Sequence, residues 1–182
     1  YEGQEGFLPL RIRGGGLRCG VVTMKGKVSS QFVSSLLMAG ACAAGAGDAP
    51  FTLQLEEEHP TSLPYITMTA KCMQAFGVAV TFEADNRYVL GAGSAYTPPP
   101  SGRYAVEPDA SSATYPAAWA AVTGGAVLIP GLVRAASSQG DVGFLALLEG
   151  MGALVLDVPP GEGGDGGVVV VCGGVCVCVC VC

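Results

Sequence analysis

Lys25-Gly26-Lys27-Val28-Ser29-Ser30-Gln31-Phe32 decides the reading, because a basic, glycine-bearing segment runs into two hydroxyls, an amide and an apolar stretch reaching Met38. The serines mark a helix start. Phe32, Leu36, Leu37 and Gly40 then recur at three- and four-residue spacing, which predicts a helix ending in the Ala/Gly stretch near Gly45. A helix N-terminus presents unpaired backbone N–H groups and the positive end of its dipole, so short hydroxyls beside it make a receptacle for a phosphate monoester. Ser29, Ser30 and Gln31 are therefore candidate ligand residues, the hydroxyls for phosphate oxygens and the amide for a sugar-like hydroxyl. Plain N-capping is the competing reading of either serine alone.

Working outward, Phe51 to Leu55 reads as a strand. Ser62 then caps a second helix, with Pro64 in its first turn, Ile66, Thr69, Met73 and Phe76 on one face and Gly77 as its stop. Val78 to Phe82 and Arg87 to Leu90 alternate as strands about a turn at Asp85-Asn86, and Pro98-Pro99-Pro100 is a loop. The series then starts again. Arg103 to Glu107 reads as a strand, Ser111-Ser112 as the cap of a helix running through Trp119 to Gly124, and Ala126 to Ile129 as a strand. Ser138 begins a helix ending near Met151, and Ala153 to Asp157 closes the series as a strand. Matching Ser30 with Ser112 and Gly77 with Gly152 makes this an internal repeat of two helices and about four strands, the fold class being α/β (α+β). Such a unit covers one sheet face with helices, so several must pack together to bury what one exposes.

The chain has 182 residues, half of them hydrophobic, and 9 Lys plus Arg against 15 Asp plus Glu; the net charge of −6 argues against a nucleic-acid partner. Five of the nine basic residues (Arg11, Arg13, Arg18, Lys25, Lys27) nevertheless precede the hydroxyl cluster, where a phosphorylated substrate would want them. Tyr1 opens the sequence without a charged-then-apolar leader, and no apolar window reaches the length of a membrane span. The expectation is a soluble piece of a longer protein, not secreted and not membrane-bound, from the cytoplasm or a plastid. Ser62 and Tyr65 form a second hydroxyl-bearing helix start. Asp109, ahead of Ser111 and Ser112, and Asp141, after Ser138 and Gln139, read as structural, because a carboxylate repels an anion and suits the first turn of a helix. His59, behind Glu56-Glu57-Glu58, lacks partners and is assigned no role. Cys19, Cys42 and Cys72 carry no motif, and there is no phosphate-binding or dinucleotide fingerprint. Cys172, Cys176, Cys178, Cys180 and Cys182 sit in a Val/Cys tail whose Cys-x-Cys spacing suits a soft metal, but which also reads as the in-frame translation of a dinucleotide repeat.

At Lys27 to Phe32, Pro64-Tyr65, Asp109 to Tyr115 and Gln139-Gly140-Asp141, in this order and spacing, the chain resembles the 5-enolpyruvylshikimate-3-phosphate synthase (3-phosphoshikimate 1-carboxyvinyltransferase) family over roughly residues 7–157. The Ala-Thr-Tyr-Pro wording around Pro116 resembles the version in multifunctional aromatic-pathway proteins. The resemblance implies a two-domain inside-out barrel of six βαβαββ units, incomplete here, with residues 1–107 in the first domain, 108–157 in the second and 158–182 outside the fold. It implies transfer of the enolpyruvyl group from phosphoenolpyruvate to the 5-hydroxyl of shikimate-3-phosphate, with no cofactor and no metal, by a monomer or one part of a multifunctional polypeptide. Carried over, Ser29 and Ser30 hold the shikimate phosphate, Gln31 contacts that substrate and reaches toward phosphoenolpyruvate, Ser62 and Tyr65 complete the pocket, and Glu107 to Asp109 is the hinge. The family's acid/base groups fall beyond Asp157 and its early lysine and arginine before Tyr1, so no catalytic residue is assigned in this chain and the isolated polypeptide is expected to be inactive. Departures are Gly143 where a basic residue is usual, Pro108 for a small residue and Ser138 for an apolar one. The rivals are the sister transferase acting on UDP-N-acetylglucosamine, which uses a loop cysteine, a thiolate metal-binding protein, and a non-catalytic remnant.

Overall fold

The computed structural model describes all residues except 28, 57–61, 160–165, 172–175 and 179–182. The chain divides into two compact units, residues 1–61 with 72–98, and residues 62–71 with 99–182.

In the first unit, β1 (Gly20–Met24) leads to α1 (Ser30–Gly45), then β2 (Phe51–Leu55), and after α2 (Leu63–Ala75) the hairpin β3 (Val80–Glu83) and β4 (Arg87–Leu90). The sheet order is β1-β2-β4-β3, with β1 parallel to β2 and the other two pairings antiparallel. Central β2 is buried along nearly its whole length, as its run Phe51, Thr52, Leu53, Leu55 demands. Against it α1 turns Val33, Leu37, Gly40, Ala41 and Ala44, the three- and four-residue spacing of one helix face. Asp85 and Asn86 bend the hairpin with left-handed backbones, which short polar residues tolerate.

The strand expected from Val78 begins later, at Val80. Val78 instead ends the preceding helix, its N–H reaching the Met73 carbonyl and that of Gly77 the Gln74 carbonyl, with Gly77 left-handed. The same stop recurs 75 positions on, where Ala153 N–H reaches the Leu148 carbonyl, Gly152 N–H that of Glu149, and Gly152 is left-handed.

The second unit holds α3 (Ala110–Thr123), β5 (Ala126–Pro130), a 3-10 turn at Gly140–Gly143, α4 (Phe144–Gly150), β6 (Leu154–Val158), β7 (Gly167–Val171) and β8 (Cys176–Cys178). Its sheet runs β6-β7-β5-β8, with β8 parallel to β5 and the other pairs antiparallel, so its pattern reproduces that of the first sheet. The core joins Ala110, Ala113, Ala117 and Ala120 of α3 to Val127, Ile129, Leu145, Leu148 and Val168.

Four expectations change here. The cap of α3 is Asp109, not Ser111-Ser112. No helix begins at Ser138, whose amide and hydroxyl both bond Glu107, so the helical backbone starts at Gly140. Arg103 to Glu107 forms no strand. Residues beyond 158, expected outside the fold, supply β7 between β5 and β6, because the unbroken valine run pairs along two open edges at once.

Candidate functional site at two helix starts

Ser29 has an extended backbone (φ −170°, ψ 139°) and its Oγ accepts the Gln31 N–H at 3.2 Å, the geometry of a helix N-cap. Ser30, the first residue of α1, is buried, while Gln31 is exposed. The first turn carries no acidic side chain, and Lys25 and Lys27 lie exposed just before it. A 16-residue helix thus offers its positive end, two hydroxyls and flanking ammonium groups, with no acidic side chain in its own first turn.

Ser62 and Tyr65 belong to the second unit. Ser62 is exposed with a left-handed backbone (φ 57°), and its carbonyl accepts the Tyr65 N–H at 3.0 Å. That backbone differs from the extended one of a capping serine, which corrects the sequence expectation at this start. The Tyr65 hydroxyl donates to Asp141 Oδ2 at 2.8 Å and lies 3.2 Å from Ser111 Oγ, and the Ser111 hydroxyl donates to the same carboxylate oxygen. Ser111 and Asp141 open onto a groove of about 510 Å³, also lined by Thr114, Tyr115, Phe144 and Leu147. Its polar end is a carboxylate gathering two O–H donors, suited to hydroxyls and hostile to phosphate.

Neighbouring groups fix the segment before α3. Asp109 Oδ1 accepts the Ser112 N–H at 3.1 Å and its Oδ2 the Ser112 hydroxyl at 2.6 Å, and these bonds hold its carboxyl below the ordinary carboxylate value. Its structural reading holds. Gln139 spans the same stretch, Nε2 donating to the Pro108 carbonyl at 2.7 Å and Oε1 accepting the Ala110 N–H at 2.8 Å. Burial alone would raise the Glu107 carboxyl, but the Ser138 and Ser137 hydroxyls, the Ser138 amide and Gln139 together hold it below its usual value.

The structure therefore describes Ser29, Ser30 and Gln31 as one cluster in the first unit and Ser62 and Tyr65 in the second. Sequence reading missed the tie from Tyr65 to Ser111 and Asp141, residues 46 and 76 positions away, and the tie from Glu107 to Ser138, because no local pattern announces such partners. His59 and three cysteines of the tail lie outside the described residues. Among the described residues there is no cluster of three metal-ligating side chains, and no helix is long and apolar enough to cross a membrane.

Residues 1–165 match the family model of EPSP synthase (3-phosphoshikimate 1-carboxyvinyltransferase). The 3-phosphoshikimate 1-carboxyvinyltransferase of Vibrio cholerae is 43% identical over 155 residues, 85% of this chain and 34% of that protein. The protein of the same name from Bordetella parapertussis is 43% identical over 164 residues, 90% of this chain and 36% of its own length. The chain thus spans about a third of the length of these curated relatives. A solved EPSP synthase from Acinetobacter baumannii superposes with a TM-score of 0.61 at 24% identity, covering 94% of this chain and 36% of that one, and so shares the fold. With the family model spanning most of the sequence and relatives above 40% identity, the chain belongs to the EPSP synthase (3-phosphoshikimate 1-carboxyvinyltransferase) family.

Proposed function

We propose that the start of α1 binds the phosphate of shikimate-3-phosphate, and that this chain is part of an enzyme transferring the enolpyruvyl group of phosphoenolpyruvate to the 5-hydroxyl of that substrate. The observation that carries the reading is the α1 N-terminus, where Ser29 and Ser30 meet the helix dipole with no acid in the first turn. In this reading the Ser29 and Ser30 hydroxyls donate to phosphate oxygens while Lys25 and Lys27 raise the local potential. Gln31 offers its exposed amide to a ring hydroxyl and toward phosphoenolpyruvate. Ser62 and Tyr65 supply further hydroxyls, Tyr65 with its phenol oriented by Asp141 and Ser111. The division into domains at Glu107–Asp109, and a cytoplasmic or plastid location, belong to the same reading.

Bond exchange at the enolpyruvyl carbon needs a proton donor and acceptor and compensation of the charge that develops. None of Ser29, Ser30, Gln31, Ser62 or Tyr65 is a carboxylate or a lysine. We expect this chain, taken alone, to bind its substrate weakly and not to turn over.

Calorimetry tests the binding step. Titrating shikimate-3-phosphate into the chain gives heat that unphosphorylated shikimate does not. The double variant Ser29→Ala/Ser30→Ala weakens binding more than tenfold, each charge-assisted bond being worth about 1.5–3 kcal/mol. Unchanged affinity in that variant overturns the proposal. Phosphate release above background with both substrates overturns the expected inactivity.

A further inference from the structure

The two sheets share one pattern, but their parallel edge strands come from different places in the chain. In the first unit the strand parallel to β2 is β1, which immediately precedes helix α1. In the second unit the strand parallel to β5 is β8, which follows everything else, while the residues immediately before α3 form no strand. We propose that Arg103–Glu107 and the tail strand Cys176–Cys178 compete for one strand position beside β5, and that the tail holds it in this structure.

Three observations converge on the displaced occupant. Arg103-Tyr104-Ala105-Val106-Glu107 has strand alternation, yet Val106 is 83% exposed and Tyr104 46%, as apolar groups are when their sheet position is taken. The segment lies beside the place it would fill. Tyr104, Val106, Glu107 and Pro108 border a hollow of about 530 Å³ together with Pro130 and Gly131 at the end of β5, and a Cβ built on Gly131 would sit 3.2 Å from the Pro108 ring. Pro108 and Gly131, the residues that follow the two stretches, thus lie against each other, and a parallel pairing likewise brings C-terminal ends together, as with Met24 and Leu55 in the first sheet. Finally, β8 pairs in parallel with Ala126, Val127 and Leu128, the same edge of β5 that a parallel strand at 103–107 would take.

Hydrogen exchange read by mass spectrometry on the full chain tests this. In the parent, amides 105–107 exchange fast. Val177→Pro, which removes the central N–H of β8, slows those amides about tenfold or more, and adding Val106→Pro abolishes the gain. Continued protection of β2, β4 and the β5–β7 pair certifies that the sheets persist. Should Val177→Pro lose that protection, Val177→Gly is read in its place with the same expectation. Amides 105–107 protected in the parent, or still unprotected once β8 is disrupted within intact sheets, overturn the proposal.

Discussion

Glu107 keeps a carboxylate among two serine hydroxyls, a backbone amide and a glutamine, and the balance of these contacts lowers its pKa despite burial. A depressed carboxyl stabilises the fold at every pH above its unfolded value, and that contribution is lost as the pH falls through the lower folded value. Glu107→Gln is therefore expected to lower stability near neutrality and to flatten the acid limb of the stability profile. The check is the urea midpoint measured from about pH 7 down to about pH 3. A profile parallel to the parent's would show that the bonds to Ser138 contribute nothing. Tyr65 presents a different balance at this scale. Its ring is half-buried and its hydroxyl is tied to Asp141 and Ser111, so one side chain serves both the packing of the second unit and the hydroxyl-lined groove.

Helix α1 approaches the sheet so closely that Gly40 lies against the ring of Phe51, and a methyl group there would overlap ring carbons. Two effects of Gly40→Ala oppose each other. Alanine gains about 1 kcal/mol of helix propensity. The overlap costs about 1–3 kcal/mol, because Phe51 is 4% exposed on the central strand and has nowhere to turn. Overpacking wins, and the variant is expected to lose up to about 2 kcal/mol in urea denaturation, while an exposed-face change such as Ser35→Ala is nearly neutral. Helix α3 shows the converse economy of space. Its alanines face the sheet, whereas Tyr115, Trp119 and Val122 stand exposed on another face and Pro116 interrupts its hydrogen-bond ladder.

In the second unit, Arg134 links Glu149 near the end of α4 to Asp157 on β6, donating to both Asp157 oxygens at 2.9 and 2.6 Å and to Glu149 at 2.9 Å. The guanidinium lowers the Asp157 pKa by hydrogen bonding and charge, so this contribution too holds above the unfolded carboxylate value and fades as acid titrates the folded group. The pair is part exposed, so screening limits it. Arg134→Ala is expected to cost about 1 kcal/mol or less at low ionic strength, the deficit shrinking in 1 M salt, where the screening length falls to about 3 Å. A salt-independent deficit would point to lost packing instead. The chain spans about a third of its curated relatives, and α3 is apolar on more faces than this unit covers, in keeping with a repeat that buries itself by stacking against others.

The sequence by itself determined what is local. The serine start of α1, the glycine stops at Gly77 and Gly152 and the left-handed Asp85-Asn86 turn follow from caps, helical spacing and backbone sterics within a few residues. The recurrence of two helices per repeat was legible for the same reason, whereas the second sheet is completed by β7 and β8 from residues read as lying outside the fold. Tertiary structure alone decided that Asp109 rather than Ser111 or Ser112 caps α3, that Ser138 goes to Glu107, and that Tyr65, Ser111 and Asp141 meet. It also decided which strand lies beside β5. A hydroxyl or carboxylate is equally satisfied by water, a neighbour in sequence or a distant residue, and a valine-rich strand pairs with any open edge, so these choices are made only when the packed chain brings one partner within reach.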